Sequence, residues 1–470
     1  MTKWRVAVLA VGLIVALAAG VALGASLADG GGESGAEPSV TTTIGSGEVS
    51  APPQEVDESQ FGDVSTTDRG PRPSECALAP GQPFVGGPAA DVIDIGESDG
   101  VRVEGVRYPR PDYEGDPWTQ WGQGLLHEGR FYSAIGDHIG VDGNSYIYEY
   151  DPSTGTLSTL GDVLSYVEHE TGSWGYGKVH GQMVSGPCGE IYFATYWGTN
   201  RDIRFDGSYR GDVLFRLDPS SRTITHLGAP VEEHGIPSLA GSPDGRFVYG
   251  EALDPILEID DVDAGPFFAY DTFEEQVVFV GDPEPHEGFR NIMVDREGRA
   301  YYAVGGGGLA VYDPETNAVT DHPSPMPGDW LRASTTPAPD GTIFGVTDDE
   351  AALFVMHPSG DIESLGTARG YTTTLAIHPD GTRFFYVPDA HGSAWEEGAP
   401  LISVDGATGE ETVVVELNAM AEENLGLRLG GTYGLAVDPS GQTVYIGMNA
   451  GPLGEEDGFG EIVLLVVHLP

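Results

Sequence analysis

The stretch Thr171–Gly198, TGSWGYGKVHGQMVSGPCGEIYFATYWG, holds the residues best suited to chemistry. Apart from Lys3, Lys178 is the chain's only lysine, and His180 follows it by two. In an extended segment, residues two apart share a side. A lysine and a histidine converging on a cavity can bind an anion or act as base and acid. The plainer alternative is a lysine at a loop rim and a histidine bonded to a neighbouring loop carbonyl. Lys178 and His180 are therefore the candidate catalytic pair. Trp174, Tyr196 and Trp197 beside them are candidates for ligand contact.

These residues must be held by something, and the chain repeats around them. An apolar run, a Pro/Gly turn and a second β-rich run recur seven times, as in SLAGSPDGRFVYG (Ser238–Gly250) and GLAVDPSGQTVYIG (Gly434–Gly447). Such a phrase reads as a β-hairpin. The turn glycines Gly129, Gly189, Gly245, Gly298, Gly341, Gly381 and Gly441 are spaced by 60, 56, 53, 43, 40 and 60 residues. A second phrase, apolar strand, Asp-Pro-x-Thr-Gly-like turn, strand, follows each hairpin, as in YIYEYDPSTGTLSTLG (Tyr146–Gly161). Four strands per unit and seven units predict an all-β, seven-bladed β-propeller of antiparallel blades. The last unit ends after its third strand, Glu461–His468. Asp91–Gly96, before the first unit, is expected to supply the missing fourth strand and close the ring, which removes two open sheet edges. Asn418–Asn424 is the one helix expected.

Turn lengths separate the two faces. With strand A innermost, the A–B and C–D turns are short, while the B–C and D–A loops are long and varied. Binding groups concentrate on long loops of a rigid scaffold. The entrances to strand A carry Trp121, His180, Arg290, Arg332, Tyr371 and Tyr433, a ring of cations and aromatics about the axis. A Lys178/Arg290/Arg332 cluster would focus positive potential and favour an anionic or sugar-like small molecule. Such cations need an offset, from an anion, solvent or a carboxylate such as Glu251. They are expected within about 15 Å of one another, since a wider separation lies beyond a Debye length at physiological salt and would leave no shared site.

His180, His234 and His286 enter three successive blades, and three histidines can hold a metal. His234 and His286 are also ligand-binding candidates. Asp142-Gly143-Asn144 and Asp260–Asp263 are weaker candidates for calcium, since neither matches an EF-hand loop. Calcium or magnesium is the cofactor these groups would take; the metal ligands themselves are not specified by the sequence.

Acidic residues number 73 against 22 basic, a formal charge of -51 in 470 residues. Such a surface repels phosphate backbones and anionic lipid, which argues against nucleic acid and peripheral membrane binding. Residues 1–28 contain an uncharged run from Val6 to Ala28 behind Lys3 and Arg5, long enough to span a bilayer or to serve as a signal segment. Either exports the remainder, with contact to the membrane only through that segment. Residues 29–83, rich in Gly, Ser, Thr, Pro and Glu, read as a flexible tether, and 84–470 as the propeller. The two cysteines, Cys76 and Cys188, are expected to pair in an exported protein.

The phrases Gly186–Thr195, Ser242-Pro243-Asp244-Gly245 and His378-Pro379-Asp380-Gly381 resemble the repeats of streptogramin lyase, gluconolactonase-like and quinoprotein-dehydrogenase-like propellers over about Phe84–Pro470. That resemblance implies a seven-bladed ring. Gluconolactonase-like enzymes hold a divalent metal near the axis with carboxylate and amide side chains, but here the entrances carry His, Arg, Tyr and Trp. Streptogramin lyases use histidine with magnesium; the residues around His180 do not match that pattern, so the resemblance does not carry the role over to it. Three readings follow: a monomeric extracytoplasmic module binding a small molecule or cell-envelope component; a metal-assisted lyase or lactone hydrolase; or a protein-interaction platform using rim tryptophans.

Overall fold

The computed structural model describes residues 78–111, 119–137, 142–172, 175–196, 209–253, 264–281, 284–285, 290–348, 350–454 and 458–470. The seven expected units are seven antiparallel blades. Blade 1 is Leu125–His127, Arg130–Gly136, Ser145–Asp151 and Thr156–Asp162. Blade 2 is Val184–Ser185, Ile191–Ala194, Leu214–Asp218 and Thr223–Gly228. Blade 3 is Gly235–Gly241, Phe247–Leu253, Phe267–Asp271 and Gln276–Val280. Blade 4 is Met293–Val294, Ala300–Ala303, Leu309–Asp313 and Ala318–Asp321. Blade 5 is Leu331–Ser334, Ile343–Thr347, Ala352–Met356 and Ile362–Thr367. Blade 6 is Ala376–Ile377, Arg383–Tyr386, Pro400–Asp405 and Glu411–Glu416. Blade 7 takes Leu427–Val437, Thr443–Pro452 and Glu461–His468 from the C-terminal end of the chain. The helix Asn418–Leu425 precedes it.

Each blade is covered on both faces by its neighbours. Inner strands therefore read as unbroken apolar runs rather than alternating ones. Ile191–Ala194 is buried at every position, whereas the outermost strand Ala318–Asp321 is exposed at every position. Rings stack across blade boundaries, with Phe267 and Tyr302 4.5 Å apart and Phe344 and Phe384 4.9 Å apart. Such pairs add to area burial. All seven turn glycines have φ between 73° and 96°, the region in which glycine is least strained. At the other turn, Asp151, Asp218, Asp271, Asp313 and Asp405 end strand C and accept the backbone N–H two residues on, at 2.7 to 3.0 Å. The two phrases that recur in the sequence are these two turns.

The ring closes through the N-terminal side, but not by the expected strand. Val101–Arg107 pairs with Glu461–His468 and is the fourth strand of blade 7; Ile93–Ser98 pairs outside it as a fifth. The two are joined by Asp99-Gly100, both at positive φ, a two-residue hairpin turn. Val101, Val103 and Val106 are buried, while Ile93 is exposed. The strand with the apolar face takes the inner place. Upstream, Gln82–Pro83 pairs with blade 2 and Ala89–Asp91 with blade 1, so one segment edges three blades in turn. Ordered pairing thus begins before Phe84. Proline suits such an outermost strand, having no N–H to place. Residues 1–77, with the expected membrane or signal segment, most of the tether and Cys76, lie outside the described residues. Among the described residues no helix is long and apolar enough to cross a membrane.

Candidate functional site

Three hydrogen bonds and one close backbone approach hold the loop carrying Lys178. Tyr176 N donates to Gly143 O at 2.8 Å, Ser145 Oγ donates to Tyr176 O at 2.8 Å, and Tyr196 N donates to Lys178 O at 2.8 Å. At Gly136 any Cβ would stand 1.8 Å from the Gly177 carbonyl, so only glycine lets blade 1 come this close. Lys178 and His180 are both 5% exposed. Trp121 is set by its neighbour Gln120, whose peptide group is matched by the Asn449 amide in both directions, at 2.8 and 3.0 Å.

Arg332 and Tyr433 share a device the sequence does not display. Each falls where the pairing of strand A with strand B slips, between Leu331 and Ala333 and between Thr432 and Gly434. A bulge re-aims a side chain out of the ladder. Arg332 is 3% and Tyr433 2% exposed.

These groups form one connected cluster. Lys178 Nζ lies 4.5 Å from the centre of the Trp121 ring and 5.1 Å from that of Tyr196. Trp121 and Tyr433 are 5.1 Å apart, and Arg332 Cζ is 5.6 Å from Tyr433 and 5.2 Å from Tyr371. Arg290 Nη1 is 3.0 Å from His180 Nε2, and the His180 and Tyr196 rings are 5.2 Å apart. The expected convergence of Lys178, His180, Arg290, Arg332, Trp121, Tyr196, Tyr371 and Tyr433 is what the geometry shows. Three residues from B–C loops join it: His391, 4.6 Å from Tyr371; Phe459, 6.1 Å from Trp121; and Asp348, whose Oδ1 is 3.5 Å from Arg332 Nε.

Other expectations are corrected. Glu251 does not offset the cations. It is fully buried on blade 3, where Ser238 Oγ donates to it at 2.5 Å, and burial pushes its carboxyl up to about 8. Asp348 is the carboxylate facing Arg332. His234 turns its Nδ1 to the Glu232 carbonyl, 2.7 Å away, and does not meet His180. Asp142 accepts from Gly172 N at 2.6 Å, and Asn144 bonds Asp162 and Leu164; both tie loops together. Trp174, Trp197, His286 and Asp260–Asp263 lie outside the described residues.

Electrostatics set the protonation states. His180 is held well below the usual histidine range, chiefly by burial and then by Lys178, Arg290 and Arg332. His391, at the solvent-exposed edge of the cluster, is lowered to about 4 by burial of its surroundings and by the same three cations. Both rings are neutral at pH 7. Tyr433 is raised, mainly by burial, and keeps its proton. Divalent metal does not fit here. Three cations surround the position, both ring nitrogens of His180 are engaged, and no group of three His, Cys, Asp or Glu suited to a metal occurs among the described residues.

The arrangement defines a seven-bladed propeller with a cationic and aromatic site where its strands A enter the axis. Its fold is that of the streptogramin lyase propellers. The chain is similar to the selenomethionine-substituted virginiamycin B lyase from Staphylococcus aureus, at 10% identity and a TM-score of 0.50, covering 79% of this chain and 100% of that one. A streptogramin B lyase structure aligns at 11% identity over 77% and 97% with a TM-score of 0.48, and U3-55K at 10% over 80% and 98%, also at 0.48. No protein-family model and no curated protein matches the chain. At such identity the likeness concerns the fold.

Proposed function

We propose that the protein binds a small anionic ligand, carboxylate- or phosphate-bearing, at the axial cluster. One observation carries this reading: Arg332 Nη2 and the Tyr433 hydroxyl are buried and have no hydrogen-bond partner among the described residues. Leaving a buried donor unmade costs about 1–3 kcal/mol, more for a charged group. Three cations share the site, and Asp348 is the carboxylate set against Arg332. An anion taking both donors would remove the penalty and offset the repulsion. Trp121, Tyr371 and Tyr433 supply faces on which a ring or sugar can stack.

The test is titration calorimetry of the intact chain with acetate and with inorganic phosphate. Binding to the native protein is expected, with loss in Arg290→Ala and Arg332→Ala at unchanged circular dichroism. A native protein that binds neither probe, or variants that bind as well as native, would refute the reading.

A second reading, a lyase or lactone hydrolase, gains support from His391. A neutral, solvent-facing imidazole beside three cations can accept a proton from a substrate whose developing negative charge they stabilise. In that reading His391, not His180, is the base, because Arg290 faces the free nitrogen of His180. An interaction platform has less behind it: the exposed large apolar residues described, such as Val280, Val319 and Val413, are aliphatic and spread over separate outer strands. Export, with residues 1–28 as anchor or signal and the ring as a monomer outside the cytoplasm, is part of the proposal and rests on the sequence pattern alone.

A further inference from the structure

Next to the cationic layer along strands A lies a second feature, whose lining includes none of the cluster's own residues. It is a cavity of about 710 Å³ walled by residues from all seven strands A. On the strands that follow Trp121, His180, Arg290, Arg332 and Tyr433 the wall begins two residues beyond the site. Ile292 follows Arg290, Ser334 follows Arg332 and Leu435 follows Tyr433. Two residues of strand advance roughly 7 Å. Much of that wall is apolar: Val184, Ile292, Leu375 and Leu435 line it and are each no more than 5% exposed. The volume falls within the roughly 300–1,000 Å³ of small-molecule sites.

We infer that this axial well takes the uncharged remainder of the ligand whose acidic head meets Arg332 and Tyr433, so that the ligand class is an elongated monoanion with an apolar chain. The inference rests on the anion-binding reading and adds the chemistry of the other end. A small inorganic anion would satisfy the donors and leave a walled, partly apolar space to water. A chain attached to that anion removes apolar wall from water, which is favourable in proportion to area. The head is fixed by the two bulged residues and the chain by a rigid ring, so little is reorganised on binding.

The experiment is a calorimetric series on the intact chain with straight-chain carboxylates from acetate to decanoate. Affinity should climb roughly three- to fourfold per methylene, then level off when the well is full. Thr336→Trp, an exposed position on the lower wall, should move that plateau to shorter chains while leaving acetate binding unchanged. Leu375→Trp, higher in the wall, should flatten the series altogether. Acetate binding with affinity independent of chain length would overturn the inference and leave the anion site standing. A length-dependent series that Thr336→Trp leaves unmoved would also overturn it, because the chain would then lie on the aromatic face instead. Failure of every carboxylate, acetate included, would overturn both readings.

Discussion

Arg290 Nη1 stands 3.0 Å from His180 Nε2, and that contact fixes the tautomer of the histidine. A guanidinium can only donate, so Nε2 must accept. The ring proton therefore sits on Nδ1, which donates to the Pro237 carbonyl at 2.6 Å. The plainer alternative for His180, a ring bonded to a loop carbonyl, is thus half of the arrangement. The other half ties it to a cation. Protonating Nε2 would set one donor against another inside a buried cationic cluster.

His180 should stay neutral well below the ordinary histidine range. A neutral folded form and an unfolded form that protonates near 6.5 mean that the unfolded state binds more protons below that pH. Stability is then present above about 6.5 and lost as pH falls below it. His391, lowered to about 4, acts in the same direction. Nitrogen-15 spectra of labelled histidine should show His180 protonated at Nδ1 and unprotonated at Nε2 at pH 6. In Arg290→Ala its titration should move upward, yet remain below that of a free histidine because burial is the larger cause. A His180 that titrates near 6.5 in the native protein would contradict the assigned contact.

The closing strand gives a second prediction. Deletion through Gly100 removes the outer strands on blades 2, 1 and 7 but keeps Val101–Arg107. Deletion through Tyr108 removes the inner strand and its three buried valines. Each buried valine is worth about 1.5–3 kcal/mol, so the longer deletion should cost several kcal/mol more than the shorter and melt well below it. Equal melting temperatures would mean the ring does not depend on that strand.

Much of this was legible because the turns are local. Gly129 and its six counterparts need positive φ, and Asp151 and its counterparts need the N–H two residues on. Both demands are written in consecutive residues. Counting back from each glycine to the start of strand A located Arg290, Arg332 and Tyr433 without a structure. The closing strand was missed because 91–96 and 101–107 both carry a strand pattern, and only the Asp99-Gly100 turn orders them. His391, Phe459 and Asp348 were missed as site residues for another reason. They reach the axis from B–C loops of different blades, and nothing in a sequence records contact across a ring. The bulges that aim Arg332 and Tyr433 were equally hidden, since strands buried on both faces carry no alternation for an extra residue to break.

The expected pairing of Cys76 with Cys188 carries forward as a proposal. The chain entering blade 2 runs inward from its edge. Gln82 pairs with the outer strand D, and the Ala79 carbonyl is held at 2.7 Å by Arg216 of strand C. Three more residues span at most about 10 Å, which bounds how far Cys76 can lie from Ala79. No free cysteine occurs among the described residues. Denatured, unreduced protein should therefore show no titratable thiol, and reduction should release two. Two thiols before reduction would dispose of the bond.

Glu251 supports the last prediction, because its pH dependence runs opposite to that of the histidines. The side chain is fully buried opposite Ser238, its Oε2 accepts from the serine, and its Oε1 has no partner among the described residues. Burial is the dominant cause that raises it from the ordinary 4.5 to about 8. Between these values the folded state binds the proton and the unfolded state does not, so stability falls as pH rises. The contribution is complete below about 4.5 and is lost by the time pH passes 8. Glutamine matches the neutral acid in shape and cannot ionise. Glu251→Gln should therefore melt close to the native protein near pH 5 and above it at pH 9, with the gap opening between. Taking the difference between the two proteins cancels the histidines and the rest of the acidic surface. A gap that is the same at pH 5 and pH 9 would show that Glu251 does not hold a proton in the folded ring.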